Sequence, residues 1–372
     1  MPDNEALWLP AKGAAFRRGP APYTRPKANE VVVRNRAVAV NPVDRMIPAI
    51  GGLILPWLRY PAILGSDVAG DVVEVGSAVT RFKVGDRVLG HAVGVEKARN
   101  APSEGAFQLF TVLLDHMATP IPQTVTYEQA CVLPLGLSTA ACGLFQSDLL
   151  ALRWPTAPGS GGGETVIVWG ASTSVGSNAI QLAVAAGYRV IATASPHNFA
   201  HATRLGASAV FDYRSPTVVR DIASRLQGDR VAGALAIGVG STGPCMEILG
   251  TLPGRRFVAV ASPPIAFDTV PSGRGRLIGL ARVLPRIAGA TLALRRQAKR
   301  LGVQTRMIWG GALLGNEIGP MIYRDFLERA LAEGRYLAAP EPLVVGDGLD
   351  QVPEALEQQR RGVSARKLVV RL

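Results

Sequence analysis

The chain is poor in cysteine, and over one long stretch it has no acid at all. Cys131, Cys142 and Cys245 are the only cysteines among 372 residues. They are too few and too scattered for a disulfide framework or a Cys-rich zinc lobe, which points to a reducing, cytoplasmic setting. The start, Met-Pro-Asp-Asn-Glu, lacks a basic stretch followed by an apolar core, so no secretory signal is expected. No uninterrupted apolar run reaches the ~20 residues that cross a bilayer. What is present is a globular composition, long enough for two domains with cores of their own.

The missing acid matters most between Arg274 and Arg306. Nine basic residues fall in that window, with Asp and Glu absent, against a net charge of +12 for the whole chain. Apolar residues such as Leu277, Ile278, Leu284 and Leu292 interleave with them. Three readings stand side by side. One is an inserted helical hairpin with a solvated basic face. The second is a docking face for an acidic protein such as an acyl carrier protein. The third is a membrane-surface helix. Pro285 and the internal arginines argue against spanning. Nucleic acid is not expected, because no binding motif accompanies the charge.

The most informative run is Thr165-Val-Ile-Val-Trp-Gly-Ala-Ser-Thr-Ser-Val-Gly176. A continuously apolar strand leads into a small-residue turn, a helix-like segment and the stop at Gly187. A second strand follows, Arg189 to Ala194. Strand, turn and helix N-terminus make an anion site, because first-turn N–H groups lack helical partners. Thr173 stands where the usual fingerprint has its middle glycine, so the turn alone is also compatible with an ordinary strand-to-helix connection. Further strands fit Ala209–Tyr213, Val231–Ile237 and Arg256–Ala261. Their alternation with helices predicts a parallel, doubly wound sheet.

No acid follows strand two, where NAD-binding chains place one on the ribose. Ser195 and Asn198 stand there instead, able to donate to a 2′-phosphate or to cap the next helix. The missing acid favours NADPH as cofactor.

The first ~140 residues read as short β-rich runs punctuated by Gly and Pro, like an irregular barrel. Leu135 to Leu150 reads as a helix, and Pro155 to Gly163 as a loop before strand one. The tail reads as a helix over Tyr323–Glu333, a strand at Pro342–Val345, a helix over Leu349–Arg361 and a strand from Arg366.

Several motifs occur in order: Asn41-Pro-Val-Asp44, Tyr60-Pro-Ala-Ile-Leu-Gly-Ser-Asp-Val-Ala-Gly70, Val84-Gly-Asp-Arg-Val88, Gly105-Ala-Phe-Gln108, the turn Trp169–Gly176 and Gly362–Val370. Together they resemble the medium-chain dehydrogenase/reductase superfamily over nearly the whole chain, the basic stretch excepted. Within it the chain resembles the zinc-free quinone reductase and enoyl reductase branch. Trp169 through Gln181 especially suggests the trans-acting enoyl reductases of fungal polyketide pathways.

The resemblance implies an α/β chain: a GroES-like β-rich catalytic domain from residues 1–140 and 305–372, and a Rossmann domain at 141–304 with the basic insertion near 272–304. It implies an active-site cleft where the two meet. Zinc-dependent members carry Cys at the place of Asn41 and His-Glu at the place of Ser66-Asp67. Asn and Ser are poor zinc ligands, so no metal is expected. The implied activity is hydride transfer from NADPH to an activated double bond or a quinone. The alternative is a non-catalytic NADPH-binding partner or scaffold.

Candidate catalytic residues by this resemblance are Asn41, Asp44, Arg45 and Tyr60. Arg45-Met46 departs from the aromatic-Lys pair of many relatives. Candidate cofactor residues are Thr139, Ser172, Thr173, Ser174, Val175, Ser195, Asn198, Tyr213, Leu337 and Lys367. The substrate is expected to be a small molecule or a carrier-tethered acyl group, and the chain a monomer or homodimer.

Overall fold

A computed structural model describes residues 2–155, 162–267, 270–271, 273 and 275–372. Arg274, at the head of the basic stretch, and positions 156–161 of the Pro155–Gly163 loop lie outside the described residues.

The first elements are β1 (Asn4–Leu9), β2 (Arg17–Ala21), β3 (Glu30–Ala39), α1 (Pro42–Ile54), β4 (Ala62–Ile63), β5 (Asp67–Val75), β6 (Arg87–His91), β7 (Phe110–Leu114), β8 (Ala118–Pro120), α2 (Tyr127–Ala130) and α3 (Pro134–Phe145). Strands and helices then alternate: β9 (Thr165–Trp169), α4 (Ser174–Ala185), β10 (Arg189–Ala194), α5 (Phe199–Arg204), β11 (Ala209–Asp212), α6 (Val218–Arg225), β12 (Val231–Ala236), α7 (Thr242–Thr251), β13 (Phe257–Val260), α8 (Arg276–Leu301) and β14 (Gln304–Met307). The tail holds α9 (Ile318–Pro320), α10 (Leu327–Ala332), β15 (Glu341–Asp347), α11 (Val352–Arg361) and β16 (Arg366–Arg371).

By their contacts these elements form two compact units. One comprises Met1–Leu135, Phe267–Leu280 and Leu314–Leu372, the other Gly136–Ala266 and Ala281–Leu313. In the first unit, seven strands form one sheet in the order β15-β16-β3-β5-β6-β8, with β7 also on β3. Its pairings are antiparallel except β15 with β16. Val31, Val33, Val38, Val68, Phe107 and Leu368 belong to its core. The register of β3 on β5 shifts between Asn35 and Ala37, opposite Gly70. A side chain at Gly70 would put its Cβ 2.1 Å from the Arg34 carbonyl oxygen, so the bulge needs glycine there.

The second unit holds a six-stranded parallel sheet in the order β11-β10-β9-β12-β13-β14. Val166, Ile167 and Val168 of its central strand are fully buried, as a strand covered on both faces requires. Strand order reverses between β9 and β12, the kind of switch point at which open α/β sheets bind ligands at the carboxyl ends of their strands.

Two elements differ from expectation. The basic stretch is one 26-residue helix, α8, and not a hairpin. Pro285 stands on an exposed position of it, where one lost ladder hydrogen bond can be met by water. The expected helix at Tyr323 starts earlier, at Ile318, and passes through a π-helical segment, Met321–Phe326, between α9 and α10. The Tyr323 carbonyl accepts bonds from Thr119 Oγ1 and, at 3.2 Å, from Arg81 Nη2. Carbonyls drawn to side chains in this way accompany π-bulges.

Candidate active site

The first group of candidate residues lies at the carboxyl edge of the parallel sheet. Gly170 follows β9 with φ +97°, a conformation that costs glycine least. A Cβ on Gly176 would fall 2.1 Å from the Gly170 carbonyl oxygen and 2.9 Å from Ala171 Cα. The strand end and the helix start therefore approach as only glycine permits. Thr173 caps α4. Its Oγ1 accepts from the Gly176 N–H at 2.9 Å and donates to the Gly170 carbonyl at 2.8 Å. Where the usual fingerprint saves space with glycine, this chain places a hydroxyl that ties the turn to the helix. Ser172, Thr173, Ser174 and Val175 are half-buried around the α4 N-terminus.

Helix α3 supports this turn. A Cβ on Gly136 would lie 2.3 Å from Ser174 Oγ and 3.2 Å from Asn178 Nδ2. Thr139 stands one turn further along the same helix.

Parallel pairing brings the next strand ends alongside. Ala194 of β10 pairs with Asp212 of β11, so Ser195 and Tyr213 are next-door residues at the same edge. Ser195 and Asn198 are nearly buried, at 7% and 6% exposure, whereas Tyr213 is 40% exposed. The Arg214 guanidinium lies 5.2 Å from the Tyr213 ring centre, and Arg214 is exposed. Of the candidates at this edge Tyr213 is the exposed one, beside the exposed Arg214 and His197. On the far side of the switch point, Gly238 follows β12 with φ +98° and donates its N–H to Ser262 Oγ at 2.8 Å. Neither residue carried a motif signal.

The second group is a buried polar cluster in the first unit. Lys367 on β16 places Nζ 2.5 Å from Asn41 Oδ1 and 2.9 Å from Asp67 Oδ2. Asn41 Nδ2 donates to the same Asp67 oxygen at 2.8 Å, and the Leu135 N–H donates to Asp67 Oδ1 at 2.6 Å. The Asn41 N–H donates to Asp44 Oδ2 at 2.8 Å, closing the first turn of α1. Asp44 is almost fully buried, and burial pushes its carboxyl up to about 7, with the Asp67 charge adding to the rise. His91 pairs with Asp67 across β5 and β6, and burial pulls its imidazole down to about 4. Burial likewise raises the thiol of Cys131, near the same charges, which keeps it unreactive. Lys367 was read as a cofactor contact, and its ammonium is engaged here by Asn41 and Asp67. In the sequence Asp67 enters only at the place of a zinc-ligand pair, and His91 carries no motif signal.

The other candidates stand apart from this cluster. Arg45 Nε donates to Gln359 Oε1 of α11 at 3.0 Å. Leu337 is exposed. The Tyr60 hydroxyl is buried and has no hydrogen-bond partner among the described residues. It lies 3.3 Å from where a Cβ on Gly51 of α1 would be. Burial raises its pKa, so the phenol keeps its proton.

Among the described residues no three His, Cys, Asp or Glu side chains converge as a metal site would require. At Asn41, Ser66 and Asp67 the oxygens of Asn41 and Asp67 already face the Lys367 ammonium. A divalent cation there would meet a fixed positive charge, so these residues do not fit a metal.

Comparison with known proteins places this architecture. Residues 27–123 match the alcohol dehydrogenase GroES-like domain. The dehydrogenase pigH of Monascus ruber is 48% identical over 374 residues, with 100% of both chains covered. The trans-enoyl reductase himH of Aspergillus japonicus is 35% identical, covering 99% of this chain and 97% of its own. The quinone oxidoreductase structure from Pseudomonas syringae shares the fold, with TM-score 0.69 and 23% identity over 99% of this chain and 100% of that one. The chain belongs to the medium-chain dehydrogenase/reductase superfamily of oxidoreductases, in the group that holds the trans-acting enoyl reductases.

Proposed function

We propose that this protein uses NADPH to reduce an activated carbon–carbon double bond, in an enone or enoyl thioester, or else a quinone. The observation that carries the reading is the carboxyl edge at the β9/β12 switch point, where the close contact of Gly176 with Gly170 would let the turn cradle a phosphate. Ser172, Ser174 and Val175 would hold the pyrophosphate at the α4 N-terminus. Tyr213 would take the adenosine side. No acid follows Ala194, and the exposed Arg214 stands at the next strand end, which supports a 2′-phosphate over a bare ribose.

When bound, the nicotinamide supplies a hydride to the β-carbon of the acceptor. As that C–H bond forms, the π pair moves toward the carbonyl and leaves an enolate oxygen. The chain must offer this oxygen a donor, and Tyr60 has a protonated hydroxyl that no group among the described residues engages. A proton from solvent water at the α-carbon completes the reduction. Asn41, held on both sides by Lys367 and Asp67, is a positioning residue in this scheme, and Asp44 fixes the turn that carries it. The positive charge of Lys367 supplies the cation of the cluster without a metal. The relative named as a trans-enoyl reductase supports an enoyl group as the acceptor, which we propose to be free or carrier-tethered. We place the reaction in the cytoplasm, where NADPH is held reduced.

The test is NADPH oxidation, followed by absorbance, against a panel of enones, enoyl thioesters and quinones. Turnover with at least one class is expected. NADPH-induced thermal stabilisation without any turnover would instead mark a cofactor-binding partner subunit. A preference for NADH over NADPH would overturn the cofactor assignment.

A further inference from the structure

Helix α8 is apolar on two sides, and among the described residues only one of them is covered. Its inner side buries Leu280 and Val283, and further along Leu294, Ala298 and Leu301 pack on the core of the second unit. Its outer side leaves Leu277 75%, Ile278 60%, Leu284 44% and Leu292 49% exposed. Positions 277, 281, 284, 288 and 292 follow helical spacing, with Ala281 and Ala288 also exposed. The stripe is about 24 Å long at helical rise. By length and composition α8 could cross a bilayer, yet only 11% of its apolar window is buried in the protein. The other stretch that passes the same test, Tyr127–Phe145, is 78% buried and is core.

Charge flanks this stripe. Arg282 and Arg286 are exposed beside it, and Arg295, Arg296, Lys299 and Arg300 are exposed over the last two turns. No ion pair engages these six among the described residues. We propose that α8 lies flat on an anionic lipid bilayer, its stripe at the acyl boundary and its cations among the headgroups. Such a helix pairs a strong basic face with exposed large apolar residues. Spanning is excluded by the inner face, which is already packed on protein, and by Arg282, Pro285 and Arg286 at mid-helix. A second copy fits poorly, because an isologous contact sets the same acid-free surface against itself. An acidic protein would meet the cations but would need an apolar strip of equal length beside its acids. A bilayer meets both features at once.

The proposal stands apart from the reductase reading, and its test needs no catalysis. The full chain is floated with phosphatidylcholine vesicles, with and without about 30% phosphatidylserine. Binding is expected only to the anionic vesicles, and weakened by high salt. The triple variants Leu277→Gln/Leu284→Gln/Leu292→Gln and Arg295→Glu/Arg296→Glu/Arg300→Glu are each expected to lower it about tenfold or more, with thermal midpoints kept. Failure of the wild-type chain to float with anionic vesicles overturns the proposal. So does unchanged binding by the apolar triple variant, which would show adhesion by charge alone. Light scattering that shows a dimer, broken to monomer by the apolar variant, overturns it in favour of a second copy. Capture of an acidic carrier protein without vesicle binding overturns it in favour of a protein partner.

Discussion

The Lys367 ammonium lies 2.9 Å from Asp67 Oδ2, with side-chain exposures of 6% and 0%. Both charges are out of water, and each has further partners: Asn41 Oδ1 for the lysine, and Asn41 Nδ2 with the Leu135 N–H for the aspartate. A buried pair of this kind is not a large net source of stability, but breaking it from one side is costly, because the remaining charge is stranded.

This asymmetry gives the first prediction. Lys367→Met leaves the Asp67 charge without its counter-ion and should cost about 3–5 kcal/mol of unfolding free energy. Lys367→Met combined with Asp67→Asn removes both charges and keeps an oxygen for the Leu135 N–H. The double variant should therefore be more stable than the single one. Urea unfolding of the two variants and the parent decides the matter. A double variant no more stable than the single one would show that the pair's charges do not matter here.

The same cluster sets a pH dependence of stability with two opposing parts. The Asp44 carboxyl is raised from the ordinary aspartate value to about 7. Folding therefore takes up a proton between those values, and this part of the stability falls as pH rises toward 7. The His91 imidazole is lowered to about 4. Folding expels a proton there, so this part rises with pH up to the ordinary histidine value. The two largely cancel in mildly acidic solution. Asp44→Asn should raise stability relative to the parent most near pH 7 and above. His91→Asn should give its greatest relative gain near the acid end of the range. Chemical denaturation of the parent and both variants across pH reads these slopes. Parallel pH profiles for all three would remove the assignment.

Two glycines should respond to alanine in opposite directions. At Gly176 the new Cβ meets the Gly170 carbonyl at 2.1 Å, so the cradle must open. Gly176→Ala should reduce the NADPH-induced thermal shift strongly, with affinity down about tenfold or more, because the phosphate N–H groups move together with the turn. At Gly289, inside α8, nothing lies within 4 Å of the new Cβ. Gly289→Ala should stabilise the chain by about 0.5–1 kcal/mol through helix propensity alone. Thermal midpoints with and without NADPH check both. A Gly176→Ala variant that keeps its full NADPH shift would show that the cradle lies elsewhere.

The parts of the fold that were legible in the sequence are those whose signal is local. β9 reads as buried because it is apolar on both faces, and α4 ends at Gly187 because that glycine takes φ +81°. The course of α8 was hidden, since Pro285 normally breaks a helix and only its exposed position makes it tolerable. Thr173 looked like a defect in a glycine motif. Its two hydrogen bonds, to Gly170 and Gly176, show a cap. Asn41 could be picked out by its motif, but its partner Lys367 is 326 positions away in the chain, and nothing local joins them. Tyr60 is the extreme example: its interest lies in the lack of a hydroxyl partner among the described residues, which no sequence pattern can display.

That missing partner supports a prediction in which stability and activity separate. A buried hydroxyl without a hydrogen bond costs the folded chain free energy, since water satisfies the same group in the unfolded state. Tyr60→Phe removes the hydroxyl and leaves the ring on the core it packs against. Unfolding free energy should then stay level or rise by up to about 1 kcal/mol. If the hydroxyl is kept free to meet the enolate oxygen, the same variant should lose about 10²–10³ in kcat, the amount typical for one oxyanion donor. KM should change little, because the bond strengthens as charge develops and contributes less to the ground state. Urea unfolding and steady-state NADPH oxidation on one preparation give both quantities. A stabilised variant with full kcat would leave Tyr60 as a core residue with an unpaired hydroxyl. A destabilised variant would show that the hydroxyl has a partner in the folded chain.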